Sequence, residues 1–142
     1  MVSAPLHTEI LFVEGAHRVD LVQLQALFDR AAFWARGRSV ADIALALSNS
    51  EPVITLWCGE ELIGHGRATS DGIYRATIWD VVIDHRFQGL GLGKKLVAAI
   101  LAHPKIYSVE RVYLMTTHQE EFYRRLGFAR NPTTTMIRHR SG

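Results

Sequence analysis

A chain of 142 residues, 48% apolar and 21% charged, has the size and mix of one globular domain over 1–142, which excludes a disordered or fibrous protein. A formal charge of +2 gives no basic surface on which to expect nucleic acid, and the apolar runs are too short to expect a membrane partner. Cys58 is the single cysteine and the seven histidines form no His-x-x-x-His pair, so neither a disulfide framework nor a metal site is expected.

The first residues, Met1 to Thr8, lack the charged start and apolar core of a signal peptide, which predicts a cytoplasmic protein. Residues 9–14 are short and apolar and are closed by Gly15, which predicts a first strand. Over 19–33, Leu21, Leu24, Leu27, Phe28 and Ala31 keep the three-and-four spacing of a helix lying on a core. A second helix is predicted from Ser39, where Ser39 and Asp42 form a near capping box and Val40, Ile43, Ala44 and Leu47 a buried stripe. The break at 34–38 is read as a polar loop with a half-buried ring; the alternative is that Trp34, Arg36 and Arg38 line an opening.

Pro52 introduces a strand over 53–58, Gly59-Glu60-Glu61 turns it, and 62–69 returns as the second arm of a hairpin. Alternation puts His65, Arg67 and Thr69 on one face and Gly64, Gly66 and Ala68 on the other. After a turn at Ser70-Asp71-Gly72, residues 74–84 read as a central strand, with Ile78 and Val82 on one face and Trp79, Val81 and Ile83 on the other. That strand feeds Gln88-Gly89-Leu90-Gly91-Leu92-Gly93-Lys94-Lys95, and apolar positions 96, 97, 100 and 101 then predict an amphipathic helix. Alternate glycines let successive N–H groups turn toward one anion, and the positive end of the helix points into the same turn, so a phosphate is the expected guest. Pro104 is expected to stop the helix and 111–116 to form a strand. Thr117-His118-Gln119-Glu120 reads as a capping box for a short helix bearing Phe122 and Leu126, with Gly127 as its cap. Residues 133–139 are β-prone and read as a last strand, so the whole order predicts an α/β fold with a mixed sheet.

Two common phosphate sites fail on this chain. The dinucleotide fingerprint needs Gly-x-Gly-x-x-Gly and an acid closing the next strand, whereas the spacing here is Gly-x-Gly-x-Gly and Glu110 lies before the next strand. The Walker pattern fails because Gln88 holds its first glycine's place and Lys95 its Ser/Thr place. What remains, Gln88-Gly89-Leu90-Gly91-Leu92-Gly93, resembles the Arg/Gln-x-x-Gly-x-Gly/Ala pyrophosphate loop of the GCN5-related N-acetyltransferases. The strand ending Val81-Val82-Ile83-Asp84, and Phe122-Tyr123-Arg124-Arg125-Leu126-Gly127-Phe128, which is similar to the family's Tyr-x-x-Leu-Gly-Phe segment, extend the resemblance. Within the family, Leu62-Ile63-Gly64, Ala68 to Asp71 and Ala76 to Val82 look most like the plant chloroplast and cyanobacterial branch, which includes serotonin (arylalkylamine) N-acetyltransferases.

The resemblance implies a mostly antiparallel twisted sheet of six to seven strands, flanked by about four helices. It implies acetyl-coenzyme A as co-substrate, its pantetheine arm on backbone groups of Val81, Val82 and Ile83 and its pyrophosphate on the amides of Gln88, Gly89, Leu90, Gly91, Leu92, Gly93 and Lys94. Tyr123 matches the family tyrosine that protonates the departing thiolate. Thr116, seven residues earlier, stands where many members have Asn or Asp, and its hydroxyl is expected to bond coenzyme or substrate.

Asp80 is a carboxylate in a strand otherwise apolar on both faces, so it is either a general base or a partner of Arg67, Arg75 or His65. His118 is the second candidate base. The expected acceptor is a primary amine, with an arylalkylamine first because Phe33, Trp34 and Trp79 could line a flat pocket, then a protein lysine or N-terminus, then a polyamine. A non-catalytic coenzyme A sensor is the alternative from another class, and a homodimer stays open as the assembly.

Overall fold

A computed structural model describes residues 9–140; the expectation drawn from Met1 to Thr8 lies outside the described residues. Strands β1 (Ile10–Glu14), β2 (Val53–Cys58), β3 (Glu61–Ser70), β4 (Arg75–Ile83) and β5 (Arg111–Leu114) form one sheet in that order. The first four pair antiparallel as a meander, and β5 pairs parallel to β4, which requires a crossover; helix α3 (Leu92–Ala102) supplies it. Helices α1 (Leu21–Ala31) and α2 (Val40–Ser48) cover one face, while α3 covers the other. Two short helices, α4 (Pro104–Tyr107) and α5 (Glu120–Arg124), flank β5.

The helices start where the side chains provide caps. Asp20 accepts from the Gln23 amide at the head of α1, and Ser39 from the Asp42 amide at the head of α2. Gln23 also fastens α1 to the β2–β3 turn, donating to the Glu60 carbonyl and accepting from the Leu62 amide. Leu24, Leu27, Phe28, Ile43 and Leu47 make one core cluster with Leu62 and Val82; Leu96, Val97 and Ile100 make the other with Leu56, Ala68 and Ile78. Each fully buried aliphatic side chain contributes about 1.5–3 kcal/mol.

Four expectations change. Among the described residues the sheet has five strands rather than six or seven, within the expected mixed architecture. Residues 133–139 form no strand: Met136 and Ile137 are 90% and 78% exposed, and a β-prone sequence without a partner edge stays unpaired. Pro104 ends α3 as expected but also opens α4, sitting at its first position behind a His103 cap. Gln119 rather than Thr117 holds the N-cap position of α5, without a side-chain cap, and it is the Thr116 hydroxyl that accepts from the Gln119 amide. Glu14, Glu51 and His103 also approach one another on the surface, a grouping that sequence spacing does not show.

The most consequential departure is in β4. Its register against β3 shifts between His65 and Arg67, and Asp80 is the only non-glycine described residue with positive φ, at 55°. A bulge inserts one residue into the strand and so reverses side-chain parity beyond it. Accordingly Ile78 shares the α3 face with Val81 and Ile83, while Trp79 and Val82 face α1 and α2. The expected faces of β4 were therefore wrong beyond the bulge.

Candidate functional site

Pairing between β4 and β5 ends at Ile78 opposite Leu114, yet β4 continues to Ile83, paired only with β3. Beyond Ile78 the β4–β5 ladder ends, so the side of Val81, Val82 and Ile83 away from β3 has no strand partner among the described residues. Their edge is not wholly free, because the Gln88 side-chain amide donates to the Ile83 carbonyl at 3.1 Å.

The glycine turn follows directly. Asp84 caps a single 3-10 turn over His85–Phe87 and is held by Arg30 and Arg86, which fixes the chain's exit from the sheet. Gly89 and Gly91 adopt φ of 81° and 78°, a region that penalises any Cβ, and Gly91 is the N-cap of α3. Because Gly91 offers no capping side chain, the amides of Leu92, Gly93 and Lys94 have no helical acceptor and point into the turn. A Cβ at Gly89 or Gly91 would meet nothing within 4 Å, whereas one at Gly93 would lie 3.3 Å from the Phe122 ring. Amide donors, a helix N-terminus and open space together fit a pyrophosphate.

The Gly93 contact also seats α5 against the first turn of α3, and the next residue is Tyr123. Its ring stacks edge-on against Phe122 at 4.9 Å and Phe128 at 5.8 Å, and burial pushes the phenol pKa up to about 12. Among the described residues its hydroxyl makes no hydrogen bond. Tyr123 lines a cleft of about 850 Å³ with Leu114, Met115, Thr116, Phe128 and Arg130; this cleft follows the outer edge of β5, and no glycine of the turn borders it. It is β4, not this cleft, that leads directly into the glycine turn. The Thr116 hydroxyl oxygen accepts from the Gln119 amide, which leaves its hydrogen and one lone pair for a ligand.

Asp80 is paired. One carboxylate oxygen accepts from Trp34 Nε1 at 2.9 Å; the other accepts from Arg38 at 2.9 Å and Arg67 at 3.0 Å. The side chain is 4% exposed, and although burial alone would raise its pKa, the hydrogen bond from Arg38 and the nearby Arg67 and Arg38 charges outweigh it and hold the group below the usual carboxylate range. Of the three expected partners only Arg67 reaches the carboxylate: His65 bonds the Asp80 backbone carbonyl instead, at 2.8 Å, and Arg75 pairs with Glu110. An ionised carboxylate already holding three donors is a weak proton acceptor.

Neither reading of the 34–38 break was complete, since the segment docks on Asp80 through Trp34 and Arg38 while leaving Phe33 and Trp34 about half exposed. Phe33 stacks on Trp34 at 5.1 Å and lies 5.8 Å from His118, so an aromatic rim spans from this break to the β5–α5 loop. Trp79 does not join it; the indole donates to Thr69 and lies under Arg67. Sequence reasoning named His65 and Arg38 but missed that they bond the Asp80 carbonyl and carboxylate respectively, and it missed the Asp84 pair with Arg30. The pairing of Trp34 and Arg38 with a lone strand carboxylate was the available signal for the Arg38 bond.

Comparison with known proteins agrees with this fold. A family model described as the acetyltransferase (GNAT) family matches residues 19–128. "Histone acetyltransferase TAP1" from Glycine max is 40% identical over 136 residues, covering 87% of this chain and 58% of that protein. "GCN5-related N-acetyltransferase 2, chloroplastic" from Arabidopsis thaliana is 37% identical over 145 residues, again covering 87% of this chain but 55% of that protein. The chain thus spans little more than half the length of these relatives. A crystal structure of a putative GNAT-family acetyltransferase from Xanthomonas campestris superposes with a TM-score of 0.82 at 23% identity, over 92% of this chain and 93% of that one, which shows the fold. With the domain match and these relatives in agreement, the chain belongs to the GNAT acetyltransferase family.

Proposed function

We propose that the chain is an N-acetyltransferase that passes an acetyl group from acetyl-coenzyme A directly to a primary amine, with an arylalkylamine as the leading acceptor class. The carrying observation is the contact of Phe122 with Gly93, which brings the helix bearing Tyr123 against the helix whose free amides form the phosphate cradle. Acetyl-coenzyme A supplies the acyl group as a thioester.

The residues then divide the work. Amides of Gln88 to Lys94 hold the pyrophosphate, and backbone groups of Val81 to Ile83 align the pantetheine arm along the open edge of β4. Thr116 contributes its hydroxyl hydrogen at the far wall. The Tyr123 phenol, protonated at all physiological pH, donates toward the departing sulfur. Asp80 holds Trp34 and Arg38 in place rather than taking the amine's proton, which passes to water or to the exposed His118 beside the rim. The half-exposed rings of Phe33 and Trp34 give a flat acceptor a surface on which to stack.

A protein lysine is the second acceptor reading, favoured by the histone acetyltransferase name of the soybean relative. The test is free-thiol release from acetyl-coenzyme A across arylalkylamines, polyamines and lysine peptides. Release with arylalkylamines above all others is expected. Preference for the peptides favours the second reading, and binding without release for any amine leaves a coenzyme sensor.

A further inference from the structure

His65 is fully buried, and its Nε2 is the one buried side-chain nitrogen or oxygen among the described residues without a hydrogen-bond partner. Its Nδ1 faces the Asp80 carbonyl, which can only accept, so Nδ1 carries the proton and Nε2 is a bare lone pair. Phe28 holds the ring edge-on at 5.3 Å from the α1 side. A buried imidazole with half its bonding capacity unused is retained at a cost, and its one bond goes to the residue in left-handed conformation. The same residue's carboxylate gathers Trp34, Arg38 and Arg67. One strand position is therefore gripped twice, through its carbonyl by His65 of β3 and through its side chain by Arg67 of β3 and by the α1–α2 break. Pairing of β4 with β5 stops two residues before it.

We propose that His65 and Asp80 act as one positioning unit: the imidazole holds the bulge that parts β4 from β5, and the carboxylate ties that opening to Trp34 at the acceptor rim. Neither residue touches the reacting atoms. A non-glycine residue keeps positive φ only where its surroundings enforce it. Without the His65 donor, Asp80 relaxes toward extended backbone, β4 resumes its ladder with β5, and the opening narrows. Through the carboxylate the same relaxation displaces Trp34, so donor and acceptor sites are set together.

The inference rests on reading the β4–β5 opening as the donor site, but its first test needs no ligand. Hydrogen exchange on the ligand-free protein reports whether protection in β5 ends at Leu114 or extends through Met115 and Thr116. His65→Leu removes the donor; His65→Asn keeps an amide donor near the Nδ1 position. The leucine variant is expected to extend protection by those two residues and to weaken acetyl-coenzyme A binding by ~10-fold, while the asparagine variant restores both to within ~3-fold.

Should the leucine variant not fold, Trp34→Phe deletes the N–H to Asp80, together with the pyrrole half of the indole, at a half-exposed site. It is expected to weaken acetyl-coenzyme A binding by ~2–5-fold while the protein still folds, although Trp34 lies outside the cradle. Unchanged exchange and affinity in His65→Leu, an asparagine variant no better than leucine, or wild-type coenzyme affinity in Trp34→Phe overturns the proposal. Absence of any coenzyme binding by the wild-type protein would instead refute the proposed function, leaving the exchange pattern to decide the positioning unit.

Discussion

Replacing Tyr123 with phenylalanine removes one oxygen and keeps the ring against Phe122 and Phe128, so its effect isolates the phenol's chemistry. A general acid commonly supplies ~10²–10⁴-fold. The structure argues for less, because burial carries the phenol to about 12 while a thiol of cysteine-like acidity sits near ~8.5, so full proton transfer to the thiolate is uphill by about 5 kcal/mol. What remains is a hydrogen bond to developing negative charge, about 1.5–3 kcal/mol, or ~10–10²-fold in kcat. The assay is steady-state thiol release by Tyr123→Phe with acetyl-coenzyme A and the best amine of the panel, with KM for the coenzyme unchanged within ~2-fold. Because the phenol stays protonated, no alkaline limb below pH ~11 should belong to it. An unchanged kcat removes Tyr123 from the mechanism, and a loss beyond ~10⁴-fold refutes hydrogen-bond donation as its role.

Gly91→Ala places a Cβ in open space but at φ of 78°, so its cost is conformational, about 1–2 kcal/mol; calorimetry should show acetyl-coenzyme A binding at least ~10-fold weaker, with the melting temperature lowered by a few degrees. Asp80→Asn should leave the acidic limb of the rate profile where it is, since the carboxylate is already ionised below its usual range, while denaturant unfolding shows a loss of about 1–3 kcal/mol from the unpaired arginines. A displaced limb would restore Asp80 as the base. His65 gives a stability signature: burial lowers its pKa from 6.5 to about 4, so the folded protein binds fewer protons than the unfolded chain. Stability is full above pH ~6.5 and falls by up to about 3 kcal/mol as pH drops toward 4. Urea unfolding between pH 7 and 4.5 should show this slope in the wild type and not in His65→Asn; equal slopes refute it. Asp84, whose pKa Arg86 and Arg30 depress, loses its contribution only below the ordinary carboxylate range, so the two windows do not overlap.

The parts of this molecule that repeat with a period were legible from sequence. The three-and-four stripe of Leu24, Leu27 and Phe28, the Ser39 cap and the run from β4 through the glycines into α3 stand close to where pattern put them. The bulge was not legible, because it depends on how two strands meet, and Asp80 carries no local mark of a left-handed residue as a glycine would. One inserted position then reversed every facing beyond it, so Val81 and Ile83 were assigned the face of Trp79. The site showed the same division. The cradle follows from local spacing, but the pairing of Asp80 with Arg38, 42 residues away, arises only when the α1–α2 break lands on the sheet. The tail at 133–139 failed for a further reason: strand propensity states what a segment does if an edge is offered, and here none is taken.

Gln88 gives the open edge of β4 a second meaning. A strand that parts from its neighbour in mid-sheet presents the same unpaired row that drives chains to stick edge to edge. The Gln88 amide, already donating to the Ile83 carbonyl, stoppers that row from within the same loop proposed to cradle the phosphate. An incoming donor that bonds this carbonyl therefore exchanges one hydrogen bond for another, and the released amide swings free beside the turn. The resting protein is guarded against its own kind by the residue its ligand would move.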